Sequence, residues 1–153
     1  MRLTLHSDYG LRALIFLATA GNEGGTVPKI AEAYGISEHH LRKVIHRLTQ
    51  AGLIEAVRGR GGGLRLGRPA GEIGVGAVVR LTEPDFALAE CMGSEPGRCV
   101  IVGACGLQHI LTEALAAMFA VLDRHSLADI ARAPERLRRM LNRDELGDAV
   151  SGG

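Results

Sequence analysis

Ser37-Glu38-His39-His40-Leu41-Arg42-Lys43-Val44-Ile45-His46-Arg47-Leu48-Thr49-Gln50 sets Leu41, Val44, Ile45 and Leu48 on one helical stripe. The remaining faces carry His39, His40, Arg42, Lys43, His46 and Arg47. Ser37 is a strong N-cap, and Glu38 in the first turn complements the positive end of the helix. Upstream, Thr26 caps a shorter segment with Pro28 in its first turn and Val27, Ile30, Ala31 and Ala33 facing inward, and Gly35 breaks it. A short helix, a glycine turn and a capped basic helix form a helix-turn-helix, whose second helix enters a major groove. Before it, Leu11, Leu14, Ile15, Leu17 and Ala18 recur at helical spacing from Asp8 to Ala20, and Gly21-Asn22-Glu23-Gly24-Gly25 closes that helix.

Downstream of Ala51-Gly52, the run Leu53 to Arg58 and the run Leu64-Arg65-Leu66 read as two strands joined by Gly59-Arg60-Gly61-Gly62-Gly63. That is a hairpin with a glycine-rich tip, the wing of a winged helix. Arg58, Arg60 and Arg65 extend the basic surface of the second helix, and an arginine at the tip is placed to enter a minor groove. The expected DNA contacts are therefore Ser37, His39, His40, Arg42, Lys43, Arg47, Arg58, Arg60 and Arg65.

Charge supports a polyanionic partner. Residues 1–80 hold eleven Lys/Arg against six Asp/Glu, whereas residues 81–153 hold seven against eleven. A basic half gains from counterion release on double-stranded DNA, and an acidic half does not compete for it. No apolar run is long enough to span a bilayer, and the N-terminus lacks a signal-peptide pattern, so a cytoplasmic protein without membrane contact is expected.

After the wing, Arg68-Pro69-Ala70-Gly71-Glu72 is a turn, Ile73 to Leu81 is a short apolar segment, and Glu83-Pro84 ends it. From Leu107 to Leu122 the positions Leu107, Ile110, Leu111, Ala114, Leu115, Met118, Val121 and Leu122 keep a helical period for more than four turns. So long an apolar helix beyond a complete winged unit requires a second apolar surface, which a symmetric partner supplies. Ser126 caps a last short helix, and the charged segment from Pro134 reads as a loosely ordered tail. The expected fold is mainly α with a small β-hairpin wing, a winged helix-turn-helix plus a long dimerisation helix. Its parts are a DNA-binding domain over 1–82, a cysteine-rich cluster-binding loop over 83–106, the dimerisation helix and following short helix over 107–133, and a flexible tail over 134–153.

The chain's three cysteines, Cys91, Cys99 and Cys105, follow the pattern C-x7-C-x5-C. An odd number of thiols cannot all pair within one chain, and Gly93 to Arg98 between the first two is polar and turn-forming, unlike a core segment. Structural zinc favours four ligands and shorter knuckles, whereas gaps of seven and five suit an iron-sulfur cluster. Three thiolates leave one position to be filled, and Asp8, Glu90, Glu95 and His109 are the candidates. Asp8 pairs equally well with Arg12 at i,i+4. Catalysis finds little support: there is no phosphate-binding glycine motif after a strand, no C-x2-C redox pair and no interpretable Ser/His/Asp set.

The stretches Leu3-Thr4, Asp8-Tyr9-Gly10-Leu11-Arg12-Ala13-Leu14, Val57 to Leu66 and Leu81-Thr82-Glu83-Pro84, together with the cysteine triplet, resemble the Rrf family of iron-sulfur winged-helix repressors from Met1 to about Ala131. The resemblance is greatest to the family's nitric-oxide-sensitive branch. It implies a homodimer on operator DNA, with Cys91, Cys99, Cys105 and an Asp8 contributed by the partner subunit holding a [4Fe-4S] or alternatively a [2Fe-2S] cluster, and nitric oxide as effector. Iron-status and cluster-biogenesis regulators of the same family are the alternative. The cluster-biogenesis type places a histidine three residues after its last cysteine, where this chain has Gln108, with His109 one step later.

Overall fold

A computed structural model describes residues 2–59, 62–93 and 99–142. Its order is α1 (Leu5–Ala20), α2 (Val27–Tyr34), α3 (Glu38–Gln50), β1 (Ile54–Val57), β2 (Gly63–Leu66), α4 (Val75–Thr82), α5 (Gly106–Leu122), α6 (Leu127–Ile130) and α7 (Pro134–Leu141). Among the described residues it is a helical protein with one two-stranded antiparallel hairpin.

The core lies where α1, α2 and α3 cross. Leu14, Leu17, Ile30, Leu41, Val44 and Leu48 are sealed from solvent, so the apolar stripe of α3 packs inward and its basic face is left outside. Thr26 and Ser37 cap α2 and α3 as their sequences announce, and Thr4, which the sequence reading did not single out as a cap, caps α1. Thr4, Thr26 and Ser37 accept from the backbone N–H groups of Ser7, Lys29 and His40, and Gly35 ends α2 in the left-handed region at φ 61°. Gly10 allows α1 to lie close to its neighbours, since a Cβ there would sit 3.4 Å from both Val44 and Thr82 side chains.

Helix α1 begins at Leu5 rather than at Asp8, so Asp8 stands within its first turn. The reason is the Thr4 cap, itself anchored because its N–H and hydroxyl both donate to Glu83 Oε1, at 2.8 and 3.2 Å. One turn on, the hydroxyls of Ser7 and Thr82 meet at 2.7 Å in the interior, and Thr82 also donates to Val78 O. These contacts fasten the start of α1 to the end of α4.

The hairpin pairs Ile54 with Leu66 through to Val57 with Gly63. Its β2 edge has a second partner: Gly25 N–H donates to Leu64 O at 2.9 Å, and Leu64 N–H donates to Gly25 O at 2.7 Å. The wing is thereby bonded to the link between α1 and α2.

Helix α5 has no buried residue, and Leu107, Ile110 and Val121 are 57, 60 and 47% exposed. It is held at its far end. Arg80 of α4 grips Asp123 through two bonds of 2.6 and 2.7 Å and stacks 4.1 Å above the Phe119 ring, which Phe86 meets edge-on at 4.8 Å. The guanidinium keeps the Asp123 carboxyl below its ordinary range. Leu127 N–H then donates to Ile73 O, and the Ser126–Asp129 capping box starts α6.

Of the segment expected as a loose tail over 134–153, Pro134–Leu141 instead forms α7, and 143–153 lie outside the described residues. Leu137 and Leu141, one turn apart, are half-buried, and Arg138 donates to Thr19 O of α1 at 2.8 Å. An apolar pair at i,i+4 and a satisfied carbonyl suffice to dock a helix whose sequence looks only charged.

Candidate nucleic-acid interface and thiol loop

On α3, His39, His40, Arg42, Lys43, His46 and Arg47 are all exposed, as is the capping Ser37. The rings of His39 and His40 lie 5.7 Å apart, tilted by 59°. Arg42 is paired with Glu38 at 2.9 Å, both well exposed. An exposed i,i+4 pair of this kind contributes little, about 0.3–0.5 kcal/mol, so Arg42 is free to exchange its carboxylate for a phosphate.

On the wing, Arg58 is exposed just beyond β1, and Arg65 pairs across the ribbon with Glu55, which sets the two side chains on one face. Arg60 lies outside the described residues. Sequence reasoning missed the work of Arg68. Its guanidinium donates to Ala51 O and Gly52 O, both at 3.3 Å, closing the turn between α3 and β1. The sixteen-residue separation leaves no local signal of that bond.

The structure places Cys91 in a tight turn over Glu90–Met92, Cys99 in the open, and Cys105 immediately before α5. All three thiols are free, and Cys91 and Cys105 are half-buried. Gln108, the residue three beyond Cys105, donates from Nε2 to Cys91 O at 3.4 Å, so the first turn of α5 reaches back to the loop. Among the described residues no three His, Cys, Asp or Glu side chains are gathered as a metal site. His109 is exposed on that same turn, Glu90 is exposed, and Glu95 lies outside the described residues.

Asp8 forms the i,i+4 pair with Arg12 within its own chain. Arg12 meets it with Nε at 2.9 Å on one oxygen and a terminal nitrogen at 2.9 Å on the other. Both side chains are 39% exposed, and Asp8 borders an open groove of about 700 Å3 lined also by Arg2, Leu3, Thr4, Leu5 and Leu11. Arg12 also lies 5.7 Å from the centre of the Tyr34 ring, whose hydroxyl burial pushes up to about 12. The groove leaves the carboxylate partly open to solvent.

The sequence pattern of the Rrf2 family, described as iron-dependent transcriptional regulators, matches residues 3–133. The chain belongs to the Rrf2 family. The HTH-type transcriptional regulator NsrR of Bacillus subtilis is 48% identical over 146 residues, covering 95% of this chain and all of that one. Two solved Rrf2-type folds are similar: CymR, the global cysteine regulator of B. subtilis, with a TM-score of 0.70 at 28% identity over 86% of this chain and 97% of that one, and T. potens IscR, with a TM-score of 0.68 at 29% identity over 86% and 87%. The chain is thus a transcriptional regulator rather than an enzyme. The winged arrangement read from Ser37 to Leu66 is the one these Rrf2-type structures share. No helix among the described residues is long and apolar enough to cross a membrane.

Proposed function

We propose that this Rrf2 protein is a homodimeric repressor that binds double-stranded operator DNA through α3 and the wing and lets go in response to nitric oxide, with an iron-sulfur cluster as resident cofactor. The carrying observation is the presence, in one chain, of an exposed basic α3 and three free thiols along the segment that leads into α5. The donor chemistry fits a [4Fe-4S] cluster, or a [2Fe-2S] one. Three soft thiolates are available, and no side chain caps the N–H groups that open α5 behind Cys105, an end that favours negative charge. Cys91, Cys99 and Cys105 would hold the group, with the partner subunit's Asp8 as the fourth ligand. When bound, the group supplies iron open to nitric oxide, most of all where oxygen rather than sulfur is the ligand.

The rest is attachment by the chain's own residues. Asp8 stands on α1, which packs on α3, and Cys105 opens α5, which Arg80 and Asp123 tie to α4. Sharing one group between these thiols and the carboxylate joins the α5 side of one subunit to the reading head of the other. Two α3 helices must keep a separation of about 34–36 Å to lie in successive major grooves. Ser37, His39, His40, Arg42, Lys43 and Arg47 then meet bases and phosphates, with Arg58, Arg60 and Arg65 on the wing. Leu107, Ile110 and Val121 supply the apolar face that a second copy covers. Turning a nearly full operator into a nearly empty one takes about 5.5 kcal/mol of difference between the two states.

Anaerobically purified protein titrated with nitric oxide, followed by absorbance and circular dichroism with operator binding in parallel, tests the reading. Visible bands that collapse as DNA is released support it. A coloured protein indifferent to nitric oxide but bleached by iron chelators overturns the effector, and a colourless one overturns the cofactor. Asp8→Ala is the sharper probe. The Asp8–Arg12 pair is exposed and contributes about 0–1 kcal/mol, so the fold survives while the visible spectrum and the response to nitric oxide shift. An unchanged spectrum with a normal response removes Asp8 as ligand.

A further inference from the structure

Between the end of α1, the first turn of α2 and α7 lies a cleft of about 150 Å3 whose lining includes Glu23, Lys29, Arg138 and Asn142. We infer that α7 extends the DNA-binding surface, with Lys29, Arg138 and Arg139 contacting phosphates of the duplex that flanks each α3 helix. The inference rests on the operator-binding reading and adds to it a segment that lies beyond the family's matched residues, which end at 133.

Four observations carry it. First, α2 is the helix that crosses the DNA backbone in a helix-turn-helix, and Lys29 is exposed in its first turn. Second, the cleft continues toward the wing, because Gly24 is also in its lining and the neighbouring Gly25 is bonded to Leu64 of β2. Third, α7 is fixed to the reading head by the Arg138 bond to Thr19 O, so its charges are held beside α2 rather than on a free tail. Fourth, α7 runs against the acidic character of its half of the chain: Arg136, Arg138 and Arg139 face one acid, Glu135. Arg139 follows Arg138 around the helix, exposed, with neither ion pair nor hydrogen bond among the described residues. Glu23 opposes the two cations of the cleft and supplies a test of opposite sign.

The test is the salt dependence of operator binding by the anaerobically purified full chain, read by fluorescence anisotropy. Lys29 and Arg139 are exposed, so Lys29→Gln/Arg139→Gln should keep the wild-type melting temperature. Its log–log salt slope should be shallower by about two, so that over a fourfold rise in salt the wild type loses about tenfold more affinity than the variant. Preference for operator over scrambled duplex should be unchanged, since phosphate contacts carry no sequence information. Glu23→Gln should tighten binding. Trimming the flanks of the duplex should abolish the difference between wild type and double variant. A wild-type slope in the double variant overturns the inference, as does an equal loss in Arg124→Gln, which removes one charge outside the cleft. Arg42→Gln/Lys43→Gln serves as the reference: if it too leaves the slope unchanged, the operator-binding reading of α3 fails first.

Discussion

Cys99→Ser should yield a folded protein without visible absorption whose operator affinity is lower by about 10^4-fold, the difference that takes an operator from nearly full to nearly empty. The size follows from the role proposed for the thiols. A hydroxyl stays protonated at neutral pH and is a harder, weaker donor than a thiolate, so one of four attachments is lost. Cys99 is exposed and packs in no core, which confines the damage to the loop. Surface substitutions of this kind stay within about 0.5 kcal/mol, so the thermal midpoint should match that of wild-type protein stripped of its cluster. Cys91→Ser and Cys105→Ser should give the same loss of absorption, with a small additional cost because both are half-buried. A Cys99→Ser protein that binds operator as tightly as wild type, with its fold intact, would show that the thiols do not control DNA affinity.

The reading head was legible because local signals there agree with one another. The α3 stripe, the Ser37 cap and the Gly35 break all point to one helix-turn-helix, and the wing has two short apolar strands around a run of glycines. What escaped the sequence is what depends on distant partners. The Gly25 bridge to Leu64 has a single residue per side and no period to detect. The start of α1 was placed late because Thr4 draws its anchorage from Glu83, 79 residues away, and because Leu3 and Leu5, apolar in sequence, are exposed at 42 and 56%. Helix α7 looked like solvated tail because its docking hydrogen bond reaches across 119 residues to Thr19 O. The Arg80–Asp123–Phe119 clasp that holds α5 to α4 is equally silent, since 43 residues separate its ion pair.

For the candidate site the division is similar. The count and spacing of the thiols, the exposed basic face of α3 and the Asp8–Arg12 option can all be read from residue types. The open groove at Asp8 and the reach of Gln108 toward Cys91 cannot, because they depend on how α1 and α5 are oriented. Arg68 shows the converse error that charge counting invites. It stands next to the wing arginines in sequence, yet its guanidinium is occupied by the carbonyls of Ala51 and Gly52.

Gly63→Ala should strongly damage the pairing of the wing with the α1–α2 link. A Cβ at Gly63 would lie 2.6 Å from Gly25 O, a backbone atom fixed by its bond from Leu64 N–H. Gly25 is itself closely packed, since a Cβ built on it would lie 2.7 Å from the Phe16 ring. The strand must therefore separate from the α1–α2 link, giving up two backbone hydrogen bonds of about 1 kcal/mol each and adding overpacking strain of similar size, for a total of about 2–4 kcal/mol. Because that link carries the Thr26 cap of α2, the wing and the helix-turn-helix shift together and operator affinity falls with stability. Gly71→Ala is the matched control. Nothing lies within 4 Å of its Cβ position and its φ is ordinary, so the substitution should be neutral or stabilise by about 0.4–1 kcal/mol through the unfolded chain. Urea denaturation of the two variants beside wild type decides the matter: equal midpoints for Gly63→Ala and Gly71→Ala would mean that the Gly25–Leu64 pairing does not hold the wing in place.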